Sequence, residues 1–275
     1  MALPFAVLLP TLGPAVAGSV LYGVFSAILI WRTHQSHRFS PYILLSIFTI
    51  LRTVGFACRA AWSQNLAAGI SPLVYVANIL QYAGFILEIM AVINLVVNWV
   101  RAELRQGAQP PRYENLLFTI LRVIVVAAQI VTIVGAVTLL VGAGGGNLHL
   151  VSVGTDMKNA SFYGFFGATL ISLLLALIYY VVYRSHAKLS HLLLLIIFHV
   201  LLLVKLVFRI VALNLAANNG VNTREVFYFC LDALPEFIYC MMASVIDLTI
   251  VKNGYEPWKK QKHAQQDVEK AEVFE

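Results

Sequence analysis

The chain has 275 residues, of which 60% are hydrophobic and only 12% are charged. Soluble domains contain roughly 45–50% apolar and about 25% charged residues, so this composition excludes a water-soluble globular protein and predicts a polytopic membrane protein. The formal net charge of +6 is explained by basic loops that set membrane orientation, so no nucleic-acid partner is expected. Three cysteines lie in apolar runs, which indicates packing residues rather than a disulfide framework: Cys58, Cys230 and Cys240.

Seven apolar stretches are long enough to cross a membrane, because a helical span needs about 20 residues. In chain order they occupy about residues 9–31, 41–62, 72–100, 115–142, 162–183, 191–213 and 226–250. A backbone at membrane depth must satisfy its own hydrogen bonds, so runs of this length predict helices despite their many β-branched residues. The sequence therefore predicts an all-α integral membrane fold, with a seven-helix domain over residues 1–251 and a charged cytosolic tail over residues 252–275.

The first span and the loops predict the orientation. Ala15-Val-Ala17 resembles a signal-peptidase site, but no basic residue precedes it and the apolar run continues beyond it, which favours a retained first span. With the N-terminus outside, twelve basic residues lie in cytosolic segments and two, Lys158 and Arg224, lie outside. This bias predicts an outside N-terminus and a cytosolic C-terminus. Residues 143–161 form an expected outer loop, where Asn159 begins a possible glycosylation sequon.

Charged residues inside the predicted spans are the most informative feature, because each costs about 2.5–3.5 kcal/mol on insertion scales and needs a partner or a cavity. Arg209 and Asp232 lie at comparable depth on consecutive spans, and Lys205 and Glu236 each lie one turn from them. Arg59 is expected nearby on the second span, so the sequence predicts a polar cavity in the outer half of the bundle. The same spacing equally allows interhelical clamps without any other role.

Two further features belong to this cavity. Glu88 on the third span lies deeper, and Arg52 on the neighbouring span is its expected partner. Pro235 immediately precedes Glu236, which predicts a bend in the seventh helix beside the two carboxylates.

Motifs of other membrane protein classes are missing from the sequence. The third span ends Asn98-Trp-Val-Arg101, without the acidic-Arg-aromatic triplet of receptors, and the last span has no lysine for a retinal Schiff base. His199 is the only histidine in mid-span, which is too few for an intramembrane zinc site. No nucleotide-binding loop or nucleophile elbow occurs. We therefore predict no enzymatic activity, no metal and no cofactor.

Three segments carry a family resemblance. Lys205-Leu-Val-Phe-Arg209 is similar to Arg-x-x-Tyr/Phe-Arg, and Gly55-Phe-Ala-Cys-Arg59 is similar to Gly-Tyr-x-x-Arg. Glu225-Val-Phe-Tyr-Phe-Cys-Leu-Asp232-Ala-Leu-Pro235 is similar to Glu-x-x-x-Tyr-x-x-Asp-Ala-x-Pro, with phenylalanine at the tyrosine position. These patterns resemble the fungal lipid-translocating exporter family, which is linked to aminocholesterol resistance. The chain departs from that family at Arg52 and Ala212, where the family has glutamates.

The resemblance implies a stress-resistance protein of the plasma membrane that translocates or binds amphipathic lipids such as sphingoid-base or sterol-like amines. Membrane lipids are the expected partners. Asp232 and Glu236 would attract the head group, and Arg59 and Arg209 would orient them. Three further charged residues are expected at the cavity: Lys205, Glu225 and Glu88. The alternative is a lipid-responsive seven-helix receptor that transports nothing and signals through its basic inner loops and tail.

Overall fold

The computed structural model describes residues 12–36, 39–64, 72–101, 112–184, 188–214 and 229–251. The described chain forms six long helices: α1 (Leu12–Gln35), α2 (Ser40–Gln64), α3 (Pro72–Trp99), α4 (Arg112–Gly144), α5 (Leu148–Val182) and α6 (Leu189–Asn214). A π-helical segment, Phe229–Ala233, leads into the shorter helix α7 (Leu234–Val245), and a 3-10 turn follows at Leu248–Val251. Within the described ranges no residue belongs to a strand.

Six of the described helices, α1 to α6, are long and apolar enough to cross a membrane. The protein is therefore an α-helical, multi-pass membrane protein, as its composition predicts. The seventh predicted span, 226–250, ends earlier in the structure, because α7 ends at Val245. The extended backbone of Ile246 stops this helix before the predicted end.

The third helix lies at the centre of the bundle. It packs against α2, α4, α5 and α6, whereas α7 packs against α1 and α6. Apolar residues of α3 are almost completely buried, including Phe85, Ile89 and Val92 at 0–1% exposure. A polar group on α3, or one that faces α3 from a neighbour, is therefore removed from lipid.

The fourth and fifth helices form a closely packed hairpin. A Cβ atom at Gly154 of α5 would lie 2.5 Å from the backbone nitrogen of Leu139 and 2.7 Å from the carbonyl oxygen of Gly135. Small residues at such positions let two membrane helices approach closely, where dispersion forces between their backbones stabilise the pair. The close packing of α4 against α5 therefore requires glycine at position 154.

The connection between α4 and α5 is much shorter than the sequence predicts. The expected outer loop at 143–161 is mostly helical, because α5 begins at Leu148 and not near residue 162. Mean hydropathy falls through this stretch, which contains Lys158, but a polar residue does not end a helix. Only residues 145–147 connect the two helices.

Turn and capping chemistry explain where the connection lies. Gly146 adopts a φ of 68°, in the left-handed region that glycine enters without steric cost. The side chain of Asn147 accepts hydrogen bonds from the backbone nitrogens of His149 and Leu150, at 3.1 and 3.2 Å. These bonds satisfy two of the amide groups that a helix start leaves without partners, so α5 begins here.

The predicted glycosylation sequon lies inside α5. Asn159 is part of the helix, and Ser161 is 2% exposed with its hydroxyl 2.7 Å from that of Thr132. Glycosylation sequons act in surface loops. The structure places Asn159 within a helix and not in a loop.

Candidate functional site

Six charged side chains meet inside the bundle although they lie far apart in the sequence. Three are cations and three are carboxylates, so the cluster is electrically balanced when all six are ionised. Its members come from α2, α3, α6, the π-helical segment and α7: Arg52, Glu88, Lys205, Arg209, Asp232 and Glu236. All of them except Arg209 are at most 3% exposed. We call this group the charged cluster.

Lys205 occupies the centre of the charged cluster. Its Nζ atom lies 2.5 Å from Oε2 of Glu88 and 2.5 Å from Oε2 of Glu236. The ammonium group also lies 4.3 Å from the ring centre of Phe85 and 5.6 Å from that of Phe48, which adds cation–π attraction in a dry environment. One lysine of α6 therefore joins α3 to α7.

Glu236 accepts hydrogen bonds from three different helices. Its Oε2 atom lies 2.5 Å from Nη2 of Arg52 as well as from Lys205, and its Oε1 atom accepts a 2.8 Å bond from the hydroxyl of Tyr22. A carboxylate this deeply buried requires such donors, because desolvation costs several kcal/mol. Glu236 thus fixes α7 against α1, α2 and α6 at one position.

Arg209 and Asp232 form the most accessible pair of the charged cluster. The guanidinium Nε and Nη2 atoms donate to the two carboxylate oxygens at 2.6 and 2.5 Å, which is the bidentate geometry that gives the strongest ion pairs. Gln81 of α3 donates a longer bond of 3.4 Å to Asp232. Arg209 is 13% exposed and is the most accessible member of the cluster.

The backbone around Asp232 explains how two acids of one helix reach different partners. Pro235 has no amide hydrogen to donate to the carbonyl of residue 231, and the chain is π-helical over Phe229–Ala233 before it becomes α-helical at Leu234. The predicted bend therefore takes the form of a widened turn that contains Asp232. Single π turns of this kind interrupt α-helices frequently at functional sites.

A small cleft adjoins the charged cluster between α2 and α3. It has a volume of about 10 Å³ and is lined by two arginines, one glutamine and apolar groups: Arg52, Arg59, Gln81, Gly55, Phe56 and Ala77. This volume is roughly that of one water molecule. Gln81 lies between the cleft and Asp232, so the cleft leads towards the Arg209–Asp232 pair.

A further cation lies beside this pair. Lys158 of α5 is only 6% exposed, and its ammonium group donates a 2.6 Å hydrogen bond to the hydroxyl of Tyr82 on α3. The ring centre of Tyr82 lies 5.9 Å from the guanidinium carbon of Arg209. The phenol therefore lies between the two cations.

The structure brings together most of the predicted site residues, with one exchange of partners. Arg209 and Asp232 pair as their depth predicts. Glu88 contacts Lys205 and not Arg52, because the Arg52 side chain reaches Glu236 on α7 instead. The expectation that Arg52 would neutralise Glu88 is therefore wrong.

Arg59, a further predicted site residue, lines the cleft between α2 and α3. Glu225 lies outside the described residues.

Sequence reasoning missed four polar residues that surround the charged cluster: Tyr22, Gln81, Tyr82 and Lys158. Three of them are uncharged residues in otherwise apolar spans, where a hydroxyl or an amide is common and gives little signal. Lys158 was missed for a different reason. The expected outer loop placed it in water, so it required no partner.

His199 and the three cysteines are not among the ion-paired side chains of the charged cluster. His199 is buried, its Nδ1 atom donates a 2.7 Å hydrogen bond to the carbonyl of Leu195, and its Nε2 atom lies 3.1 Å from the hydroxyl oxygen of Ser172. Among the described residues, no three His, Cys, Asp or Glu side chains lie close enough together to hold a metal ion. The cysteines Cys58, Cys230 and Cys240 are all reduced.

Comparisons of the chain with family models, with curated proteins and with solved structures give no match. The resemblance to the lipid-translocating exporter family therefore stays a prediction from the sequence.

Proposed function

We propose that the chain crosses the membrane seven times, with its N-terminus outside and its C-terminus in the cytosol, and that it binds or translocates amphipathic lipids with an amine in the head group. Six apolar helices support the membrane assignment, and the packing of α7 against α1 and α6 supports the proposal of a further crossing. The basic residues of the inner segments support the orientation. The resemblance to the fungal exporter family supports the lipid role and the plasma membrane.

The Arg209–Asp232 pair carries this proposal, because it is the place where a head group can enter the charged cluster. Arg209 is 13% exposed, whereas Lys205, Glu88 and Glu236 are 0–2% exposed. A lipid amine that approaches from the bundle surface meets this pair first. It can replace the guanidinium on Asp232, since an ammonium and a guanidinium offer the carboxylate the same charge and similar donors.

Entry of the head group by replacement of Arg209 agrees with the small size of the cleft between α2 and α3. Room for about one water molecule does not hold a lipid head group, so this cleft is not what recognises the ligand. Replacement of Arg209 on Asp232 conserves the number of ion pairs in the cluster. Such an exchange keeps the buried Asp232 carboxylate compensated, and the cation that it releases, Arg209, is the most accessible member of the charged cluster.

The two acids of the seventh span have different roles in this mechanism. Glu236 is bonded to Arg52, Lys205 and Tyr22, and all four side chains are at most 3% exposed. It holds the helices together. Asp232 has only one cationic partner in the described structure, and we assign it as the acceptor of the lipid amine.

A flux measurement in vesicles tests the proposal. Full-length protein is reconstituted, and the movement of a long-chain amine is compared with that of a neutral lipid of equal chain length. Asp232→Asn alone would leave Arg209 without its carboxylate, so the informative variant is Asp232→Asn with Arg209→Gln, which keeps the charges balanced. Asp156→Asn, at an exposed carboxylate of α5, is the matched control.

We expect the double variant to fold and to move the amine about tenfold more slowly or worse, which corresponds to the loss of one charged hydrogen-bonded contact. Flux of the neutral lipid and the behaviour of Asp156→Asn should stay unchanged. If the folded double variant moved the amine at the native rate, Asp232 would not be the acceptor. If the native protein bound the amine and moved no lipid, the result would favour the receptor alternative over a transporter.

A further inference from the structure

Lys158 differs from every cation of the charged cluster in what neutralises it. Each of Arg52, Lys205 and Arg209 contacts a carboxylate at 2.5 Å. Among the described residues no carboxylate lies within ion-pair distance of the Lys158 ammonium, whose polar contact is the neutral hydroxyl of Tyr82 at 2.6 Å. Within this part of the chain, a cationic side chain is thus buried between α3 and α5 without an acid.

The burial of Lys158 is not a consequence of its position along the helix. The apolar part of α5 begins at Phe162, so Lys158 lies near the outer boundary of the predicted span, and a lysine there can extend its ammonium group into water. Its side chain instead points inwards and is 6% exposed. A buried ammonium without an acid is costly, so its orientation requires a compensating partner.

Tyr82 strengthens the case for an anionic partner. Its oxygen accepts the hydrogen bond from Lys158, and among the described residues its own hydroxyl proton has no acceptor. Lys158 has further N–H bonds to donate, because an ammonium carries three. The two side chains together therefore offer several donors, while the Tyr82 oxygen already accepts from Lys158, and a surplus of donors is the chemistry of an anion site.

We propose that Lys158 and Tyr82 form a subsite for the phosphate group of a lipid head group. This inference rests on the proposed function, since it names the class of lipid that the Arg209–Asp232 pair receives: a lipid that carries both a phosphate and an amine. A phosphate at this subsite lies next to Arg209, whose guanidinium carbon is 5.9 Å from the Tyr82 ring centre. Arginine binds phosphate in the same bidentate geometry as it binds carboxylate.

The subsite also explains how the Arg209–Asp232 pair opens. Phosphate held by Lys158 attracts the guanidinium away from Asp232, and the amine of the same head group then occupies the carboxylate. Every charge contacts one of opposite sign during this exchange, because Lys158 and Arg209 share the phosphate and the amine faces Asp232. An amine without a phosphate must displace Arg209 unaided, so we expect it to bind more weakly.

Equilibrium binding to the full-length protein in lipid nanodiscs tests the subsite. The probes are short-chain phosphatidylethanolamine, short-chain phosphatidate, a long-chain amine and inorganic phosphate. The variants are Lys158→Met, Lys158→Arg and Tyr82→Phe. Lys188→Met is the matched control, because Lys188 is exposed. Thermal unfolding of each variant shows that it is folded.

We expect Lys158→Met to weaken the binding of both phosphate lipids by about tenfold or more, which is the typical effect of losing a hydrogen bond to a charged group. Tyr82→Phe should weaken it less, Lys158→Arg should restore most of it, and Lys188→Met should change nothing. Binding of the long-chain amine should be unaffected in Lys158→Met.

Phosphatidate separates this inference from the proposed function, because it has no amine and does not need Asp232. If folded Lys158→Met bound phosphatidate as tightly as the native protein, the subsite would be wrong even where amine flux depends on Asp232. If inorganic phosphate competed as strongly as phosphatidate, the lipid assignment would be wrong. If substitution of Asp232 left the amine flux unchanged while Lys158→Met still weakened the binding of phosphatidate, only the proposed function would be wrong.

Discussion

Arg52 and Glu236 form an ion pair of 2.5 Å across 184 residues of sequence, and the oxygen that Arg52 contacts also accepts a hydrogen bond from Lys205. One carboxylate oxygen of α7 therefore receives donors from α2 and α6. Lys205 in turn contacts Glu88 on α3. The stability of the bundle must depend on the balance of charges in this group more than on any single contact.

This balance predicts how single and double substitutions differ. Lys205→Met leaves Glu88 buried without a cation, which should lower the free energy of unfolding by about 3–5 kcal/mol. Glu88→Gln combined with Lys205→Met removes one charge of each sign and retains the Arg52–Glu236 pair. We expect this double variant to be more stable than Lys205→Met alone, as measured by chemical unfolding in detergent micelles.

The control for this experiment is Lys188→Met, at an exposed lysine, which should change the free energy of unfolding by less than about 0.5 kcal/mol. A double variant as unstable as Lys205→Met would contradict the argument from charge balance.

The glycine contact between α4 and α5 gives a second prediction. Gly154→Ala would place a methyl group 2.5 Å from the backbone nitrogen of Leu139, so the two helices must separate. We expect a loss of about 1–3 kcal/mol in the free energy of unfolding, which is typical of overpacking. Gly167→Ala is the matched control, because a Cβ atom at Gly167 meets nothing within 4 Å. Equal effects of the two substitutions would show that the close approach is unimportant.

The short connection between α4 and α5 predicts the outcome of a glycosylation experiment. His149→Thr creates a sequon that begins at Asn147 in the turn, whereas the natural sequon at Asn159 lies within a helix. In a cell that glycosylates secreted proteins, we expect the variant to gain a glycan and the native chain to carry none. Gel mobility before and after glycosidase treatment measures this.

Adding Asn147→Gln to His149→Thr should abolish the new glycan. A variant that stays unmodified would place this turn on the cytosolic side and reverse the proposed orientation. A glycan on the native chain that Asn159→Gln removes would argue against the helical start of α5.

Removal of the tail distinguishes a transporter from a receptor. The charged cluster is formed by residues before Val251, so deletion of residues 252–275 leaves its contacts in place. We expect the truncated protein to keep most of the native lipid flux in reconstituted vesicles. A truncated protein that binds lipid with native affinity and supports no flux would count against transport by the helical bundle.

The positions of the apolar helices could be predicted well from the sequence, because length and hydropathy determine them directly. Helix α6 begins and ends within two residues of the predicted span at 191–213. The start of α5 could not be predicted in this way. It is determined by the positive φ of Gly146 and the capping bonds of Asn147, which hydropathy does not measure.

The charged cluster was only partly predictable for a related reason. Depth along a helix follows from counting residues, and it correctly placed Arg209 level with Asp232. The choice of partner also depends on the rotation of each helix and on the length of each side chain. Arg52 contacts Glu236 on α7, and nothing in a one-dimensional pattern indicates this choice over Glu88.

Both cations that neutralise Glu236 belong to other helices, Arg52 to α2 and Lys205 to α6. If α7 moved away from these two neighbours, the ionised carboxylate of Glu236 would lose both cations in a medium of low dielectric constant, at a cost of several kcal/mol. Such a movement becomes feasible only when a proton or a small cation travels with the carboxylate.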